Sequence, residues 1–251
     1  MKRSLKNISD YTIESSDGMK GKVKDFLFDE DSWIIRYLEA DFSSDIKEKR
    51  VLIPAVFLNE PDWNNKNFPL NLEKENIEAC PGPDEATPVS REYEKQIYSY
   101  YDLDYYWPAF YTSPAGTGVY YPPRPIETPN KIVDEDKLDT SLRSFKEVKG
   151  YYINASDGRI GHINDIIIDD DDWQLVYVII DTKNWVPWSR EVILSVDILD
   201  EINYVRSEVN VPLEKDDIRK APEFDPGHPI DMDYEKALNK YYQAILEEKY
   251  H

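Results

Sequence analysis

Apolar and polar residues alternate along two long stretches of the chain, and the same alternation is written twice. Residues 4–41 and 144–181 align without a gap at a spacing of 140 positions, and fourteen of the thirty-eight aligned residues are identical. Alternation with a period of two predicts β-strands that have one buried face. Self-similarity on this scale predicts a single structural module that is present in two copies.

Each copy places an Asp-Gly pair between two alternating stretches, at Asp17-Gly18 and at Asp157-Gly158. This dipeptide predicts a tight hairpin turn, because glycine adopts positive φ angles without steric cost. A further glycine follows three residues later, at Gly21 and Gly161, where it indicates a bulge or a bend within a strand. Such bends allow a small sheet to curl into a barrel. We therefore expect each copy to form a small barrel of five or six strands.

The period changes to that of a helix after the strands of each copy. One helical face is shared by Tyr93, Ile97, Tyr100 and Tyr101 in the first copy, and by Tyr234, Leu238, Tyr241, Tyr242 and Ile245 in the second. The predicted fold class is mostly β with short α: two small barrels, each followed by a C-terminal amphipathic helix.

The repeat also predicts the domain boundaries. Residues 1–105 form the first repeat, residues 142–251 form the second, and residues 106–141 form a linker rich in proline and tyrosine. Proline disfavours both helices and central strands, so we expect the linker to be extended. Each copy contains its own hairpin, strands and helix and is therefore expected to fold by itself.

The charge of the chain excludes several classes of function. Fifty acidic and thirty basic residues give a formal net charge of −20, and the acidic residues are spread along the whole chain. The chain lacks a basic segment, which argues against binding to nucleic acid or to an anionic membrane surface. The single cysteine, Cys80, cannot form an intrachain disulfide, which favours a cytoplasmic location. Apolar runs are only as long as strands, so membrane insertion is not expected.

The order of these features resembles the PRC-barrel family. The resemblance rests on the Asp-Gly pair, the following glycine, the conserved spacing to Asp25 and Asp165, and a later strand that runs from tryptophan to tyrosine. It extends to the segments 88–94 and 100–107, which are similar to bacterial stand-alone members with tandem copies. The family also includes the cytoplasmic domain of the photosynthetic reaction-centre H subunit. The resemblance implies an adaptor or assembly module.

The candidate catalytic and metal-binding residues are few. Asp169 to Asp172 with Asp165, and Asp29 to Asp31 with Asp25, offer oxygen ligands of the kind that Ca²⁺ binds, but their spacing is not that of an EF-hand. We therefore interpret them as solvated turns and predict no metal and no cofactor. Asp25 and Asp165 are candidates for acid–base chemistry, but we expect them to accept hydrogen bonds from backbone amides. No catalytic residue is predicted.

Aromatic residues outside the repeated pattern are the candidate interaction surface. They are Trp107, Phe110, Tyr120 and Tyr121 in the linker, and Trp185 and Trp188 in a loop of the second copy where the first copy is polar. Aromatic residues are enriched in protein interfaces, although this pair of tryptophans could instead cap the barrel within the same chain. The predicted function is a non-enzymatic assembly module acting as a homo-oligomeric adaptor. The alternative is a small-ligand or metal-binding sensor that uses the barrel mouth and the acidic turns.

Overall fold

The computed structural model describes residues 1–43, 49–82, 89–107, 141–182, 191–200, 202–225, 227–228 and 230–250. The chain divides into two compact units. One unit combines residues 1–78 with residues 141–251, and the other consists of residues 79–140. The first unit thus contains strands of both sequence repeats, and its limits do not follow the boundaries expected from the repeat alone.

The described residues contain thirteen strands and six α-helices. The strands are β1 (Lys2–Ser4), β2 (Thr12–Glu14), β3 (Lys20–Asp29), β4 (Ile34–Asp41), β5 (Arg50–Pro54), β6 (Asn67–Pro69), β7 (Leu142–Ser144), β8 (Tyr152–Ala155), β9 (Gly158–Asp169), β10 (Gln174–Asp181), β11 (Glu191–Ser195), β12 (Ile202–Asn203) and β13 (Glu208–Asn210). The helices are α1 (Leu5–Ile8), α2 (Lys74–Ala79), α3 (Arg91–Tyr100), α4 (Phe145–Val148), α5 (Lys215–Lys220) and α6 (Met232–Tyr250). Short 3₁₀ helices follow β5 and β11, at Ala55–Phe57 and Val196–Ile198.

All thirteen strands belong to one hydrogen-bonded sheet. Its main path runs β12-β13-β8-β9-β10-β4-β3-β2-β6, so the strands of the second repeat are followed directly by those of the first. β1, β5, β7 and β11 lie off this path and pair with β9, β4, β3 and β10 respectively. The predicted class, mostly β with short helices, is confirmed. The two separate barrels stay a prediction, because both repeats contribute to the same sheet.

The two repeats meet at the beginning of β4 and β10. The residues that precede these strands, Trp33 and Trp173, have positive φ angles of 55° and 62°. The carbonyl oxygen of Trp173 accepts a hydrogen bond from the Ile35 amide at 3.0 Å, and that of Trp33 accepts one from the Leu175 amide at 2.7 Å. The contact is therefore made in the same way in both directions, as an approximate twofold axis between the repeats requires.

The long C-terminal helix packs as its pattern predicts. Leu238 and Tyr242 of α6 are buried, and the Tyr242 hydroxyl donates to the carbonyl oxygen of Ile193 in β11 at 3.2 Å. The Tyr241 hydroxyl donates to the carbonyl oxygen of Asp217 at 2.6 Å. Among the described residues, no helix is both long enough and apolar enough to cross a membrane.

In the second compact unit, the buried face of α3 differs from the predicted one. Ile97 is buried as expected, but Tyr100 is 37% exposed, whereas Tyr98 and Glu94 are buried. Burial of a carboxylate requires hydrogen-bonding partners. Glu94 has them, because the Tyr106 hydroxyl donates to it at 2.7 Å and Arg91 lies 3.0 Å away. The apolar periodicity could not indicate that a glutamate would occupy this face.

Candidate functional site

The most unusual feature of the first unit is a reciprocal exchange of strands between the repeats. β1 belongs to the first repeat in sequence but pairs with β9 of the second, with Ser4 opposite Ile167. β7 belongs to the second repeat but pairs with β3 of the first, with Ser144 opposite Leu27. Each repeat therefore completes the sheet of the other through its first strand.

One serine and one aspartate hold each exchanged strand. The Ser4 hydroxyl donates to the Asp165 carboxylate, which also accepts from the amides of Lys6 at 3.0 Å and Ile166 at 2.8 Å. We call this contact and its equivalent in the other direction the two inter-repeat latches. Asp165 is buried, and all three hydrogen bonds satisfy it from within the protein.

The second latch repeats this arrangement with the roles of the copies reversed. The Ser144 hydroxyl donates to the Asp25 carboxylate, which also accepts from the amides of Lys146 at 3.1 Å and Phe26 at 2.9 Å. Ser144 also caps α4, because its oxygen accepts a hydrogen bond from the Glu147 amide. The expectation that Asp25 and Asp165 accept backbone amides is met, and in each case one of these amides belongs to the other repeat.

Burial raises the pKa of both latch carboxyls. The pKa of Asp25 reaches about 6, because loss of hydration disfavours its charged form more than the hydrogen bonds from Ser144 and two amides favour it. The same cause raises the pKa of Asp165, against the opposing hydrogen bonds of Ser4 and two amides. These shifts arise from burial at the contact between the two repeats of one chain, and they need no catalytic role to explain them.

The stability of the chain should therefore depend on the charge of Asp25. An unfolded aspartate titrates near 3.9, so the folded state binds this proton more tightly between about pH 4 and pH 6. Stability from this group is highest below pH 4 and falls as the pH rises through that range. The free energy of unfolding of the wild type should therefore fall by about 3 kcal/mol because of this group, and we expect Asp25→Asn to abolish that part of the pH dependence. The free energy of unfolding, measured by urea titration from pH 4 to pH 7, checks this.

The control is Glu75→Gln, which replaces an exposed carboxylate of α2 and should leave the shape of the profile unchanged. Parallel profiles for the wild type and Asp25→Asn would contradict a raised pKa at this latch.

An arginine, an acid and an aromatic ring lie next to each latch. Arg143 donates to Glu30 of the first repeat, at 2.7 Å from Nη2 to Oε1, and its guanidinium lies 3.8 Å from the centre of the Tyr204 ring. The Tyr204 hydroxyl also donates to Glu30. Desolvation raises the pKa of Glu30, whereas the hydrogen bonds from Tyr204 and Arg143 oppose this rise.

The equivalent cluster on the other side has the same layout. Arg3 pairs with Asp170 of the second repeat, and its guanidinium lies 3.6 Å from the centre of the Trp63 ring. In both clusters, the arginine stacks on an aromatic ring of its own repeat and pairs with an acid of the other. Ion pairs of this half-buried kind contribute more than exposed ones, because water screens them less.

The acidic turn that suggested a metal site is part of this contact. Carboxylate oxygens of Asp169, Asp170 and Asp171 lie within 4.8 Å of one another. However, Lys2 binds Asp169 at 2.6 Å and Arg3 binds Asp170. Asp169 and Asp170 are therefore partly buried in ion pairs with the first repeat, so the interpretation of this turn as simply solvated is wrong. The absence of a metal stays a prediction.

The motif aspartates at the hairpins have a structural role. A carboxylate oxygen of Asp17 accepts a hydrogen bond from the Lys74 amide at the start of α2, and Asp157 does the same for the Lys215 amide at the start of α5, both at 3.0 Å. The hydrogen bond from the Ser15 hydroxyl lowers the pKa of Asp17. Each hairpin therefore fixes the first turn of the helix that follows the strands of its repeat.

The motif glycines fall into two groups. Gly18 and Gly158 have φ angles of 92° and 122°, which confirms the predicted turns. Gly21 and Gly161 do not have positive φ. They are required because another strand passes close by: a Cβ at Gly21 would lie 2.6 Å from the Phe42 ring, and one at Gly161 would lie 2.9 Å from the Ile180 side chain. At Gly161 close packing is found together with the expected bulge, since the pairing of β8 with β9 shifts register between Ile153 and Asn154. At Gly21 the pairing with β2 is regular, and close packing alone explains the glycine.

Only one residue of the predicted interaction surface lies in the described part of the chain. Trp107 is half-buried in the second unit, where its ring lies 5.2 Å from that of Tyr98 and 4.7 Å from that of Tyr105. The guanidinium of Arg91 lies 4.3 Å from the centre of the Trp107 ring. The other predicted residues, Phe110, Tyr120, Tyr121, Trp185 and Trp188, lie outside the described residues.

Sequence reasoning missed the serine and arginine of the inter-repeat contact. Both copies begin with the same dipeptide, Arg3-Ser4 and Arg143-Ser144, at the spacing of the repeat. Two identical polar residues at the edge of a repeated module are a usable signal, because no buried core requires them. The sequence nevertheless does not say that their partners lie in the other copy.

Comparison with protein-family models assigns a known domain to part of the second repeat. Residues 144–218 match the model of the PRC-barrel domain, from Ser144 in β7 to Ile218 in α5. No curated protein matches the chain. The chain is therefore a mostly β protein that contains a PRC-barrel domain.

Proposed function

We propose that the chain is a tandem PRC-barrel protein, in which residues 4–77 form a second domain of the type matched by residues 144–218. The alignment of the two copies supports this, and so does the sheet. Each of β1 to β6 has an equivalent at the corresponding position of the second repeat, in β7 to β11 and β13. The relation to the cytoplasmic domain of the reaction-centre H subunit belongs to the same proposal.

We further propose that the protein acts without catalysis, as an adaptor that assembles with itself or with a protein partner. The reciprocal inter-repeat contact is the observation that carries this proposal. The buried carboxylates of Asp25 and Asp165 are each bound by three donors of the chain itself, so they join the two repeats and need no substrate to explain them. Arg3 and Arg143 serve the same contact.

The other parts of the proposal follow from composition. A net charge of −20 argues against a nucleic-acid partner, and neither a cofactor nor membrane insertion is part of the proposed function. A cytoplasmic location rests on the presence of one cysteine, Cys80, which cannot form an intrachain disulfide. We do not favour the sensor alternative, because Lys2 and Arg3 already engage the acidic turn that would bind the metal.

Self-association should strengthen when salt is added. Apolar contacts drive association, whereas the repulsion between two acidic chains opposes it. At about 0.1–0.15 M salt the Debye length is about 8–10 Å, so repulsion between charges farther apart than this is largely screened. We expect the double variant Trp185→Ser, Trp188→Ser to remain monomeric at salt concentrations where the wild type forms oligomers. Light scattering combined with size-exclusion chromatography, from about 50 mM to about 500 mM salt, measures both effects.

The matched control is the double variant Val56→Ser, Val205→Ser. It also removes two apolar side chains, and these are 70% and 98% exposed on the first unit; it should associate as the wild type does. A wild type that stays monomeric at every salt concentration would refute self-association, and an unchanged oligomer in the tryptophan variant would refute the tryptophan contact.

A further inference from the structure

The inter-repeat contact is self-complementary, because each repeat carries both halves of it. The first repeat supplies the donor Ser4 and the acceptor Asp25, and the second supplies the donor Ser144 and the acceptor Asp165. The neighbouring arginine clusters have the same property, since each repeat provides one arginine and one acid. A surface that carries both halves of a contact can bind the same surface of another molecule as well as its own.

We propose that the partner of this surface is a second copy of the chain. In the exchanged form, the first repeat of one chain pairs with the second repeat of the other, and the remaining two repeats pair likewise. The result is a closed dimer with twofold symmetry, in which both latches of each pair are made as they are within one chain. This inference rests on the proposed self-association and adds to it a second contact, formed on refolding and separate from the tryptophan contact.

The balance between the two forms depends on concentration. The contacts are the same in both, so the connection between the repeats decides which form is populated. Residues 79–140 connect the two repeats covalently. We assign to this connection an effective concentration of one repeat around the other on the order of millimolar. The single chain is therefore favoured at micromolar concentration, and exchange becomes comparable when refolding takes place at about 1 mM.

Two variants of the full chain, each carrying one new cysteine in a Cys80→Ala background that is used for every variant of this experiment, test the exchange. Lys2 in β1 lies opposite Asp169 in β9, so chains carrying Lys2→Cys are mixed with chains carrying Asp169→Cys, unfolded, refolded together and oxidised. Neither chain can form this disulfide alone. We expect a disulfide-linked dimer after refolding at about 1 mM, and about one hundredth of that fraction after refolding at about 10 µM.

Two controls make each outcome decisive. The double variant Lys2→Cys, Asp169→Cys should form the disulfide within one chain at about 10 µM, which establishes that the strands pair in this register. The mixture of Asp181→Cys and Glu191→Cys chains should give no dimer, because these residues face each other within the second repeat. Failure of the intrachain disulfide, or its success without any cross-linked dimer at high concentration, would overturn the proposal.

The same mixture in the Trp185→Ser, Trp188→Ser background separates this inference from the tryptophan contact. We expect the cross-link to persist there, because the serines, aspartates and arginines of the inter-repeat contact are unchanged in this background. Loss of the dimer in that background alone would assign self-association to the tryptophans and would reject the exchange.

Discussion

Replacing Gly161 with alanine is expected to destabilise the protein by roughly 3 kcal/mol or more. A Cβ at this position would lie closer than 3.0 Å both to the Ile180 side chain and to the carbonyl oxygen of Asp181. The second contact is with the backbone of β10, which pairs with β9, so a side-chain rotation cannot relieve it. The free energy of unfolding from urea titration measures the loss.

Gly150→Ala is the control for this prediction. Gly150 has a φ of 102° but no atom within 4 Å of an added Cβ, so its replacement costs only backbone strain, about 1–2 kcal/mol. The comparison separates close packing from positive φ. A Gly161→Ala variant within about 1 kcal/mol of the wild type would show that the strands can move apart at this point.

The local structure of each repeat could be predicted from the sequence. The Asp-Gly turns are at the expected positions, since their dihedral requirements are local. The strands around Val23 and Ile163 follow from alternation, and the buried positions Leu238 and Tyr242 of α6 follow from helical periodicity. In each case, the information lies within about ten residues of the chain.

The contact between the repeats could not be predicted in the same way. Periodicity indicates which face of a strand is buried, but it does not indicate which strand lies next to it. Ser4 is 161 positions from Asp165, and Ser144 is 119 positions from Asp25. The sequence also does not indicate the positive φ angles of Trp33 and Trp173, because tryptophan rarely adopts this conformation.

The exchange of strands argues against the prediction that each repeat folds by itself, which stays a prediction. Without the other repeat, β3 and β9 would each lose a neighbouring strand. The carboxylates Asp25 and Asp165 would each lose two of their three donors. We therefore expect the two halves to remain bound to each other when the chain between them is cut.

Alanine at both latch aspartates should weaken this binding. Each substitution removes a carboxylate that accepts a serine hydroxyl and an amide from the other repeat. The serine hydroxyl and the amide are then left without an acceptor, which costs about 1–3 kcal/mol for each buried donor, so the double variant Asp25→Ala, Asp165→Ala should bind at least about one hundredfold more weakly. The control is Asp231→Ala, which removes only the cap of α6.

The affinity between the two halves of the cut chain tests the central claim most directly. A protease site inserted after Gly116 allows the folded chain to be cleaved, and sedimentation or size-exclusion chromatography then follows the two pieces during dilution. We expect the two pieces to migrate as one complex at about 1 µM and the pieces of the latch double variant to separate there. Pieces of the wild-type chain that separate and melt as independently folded bodies would contradict it.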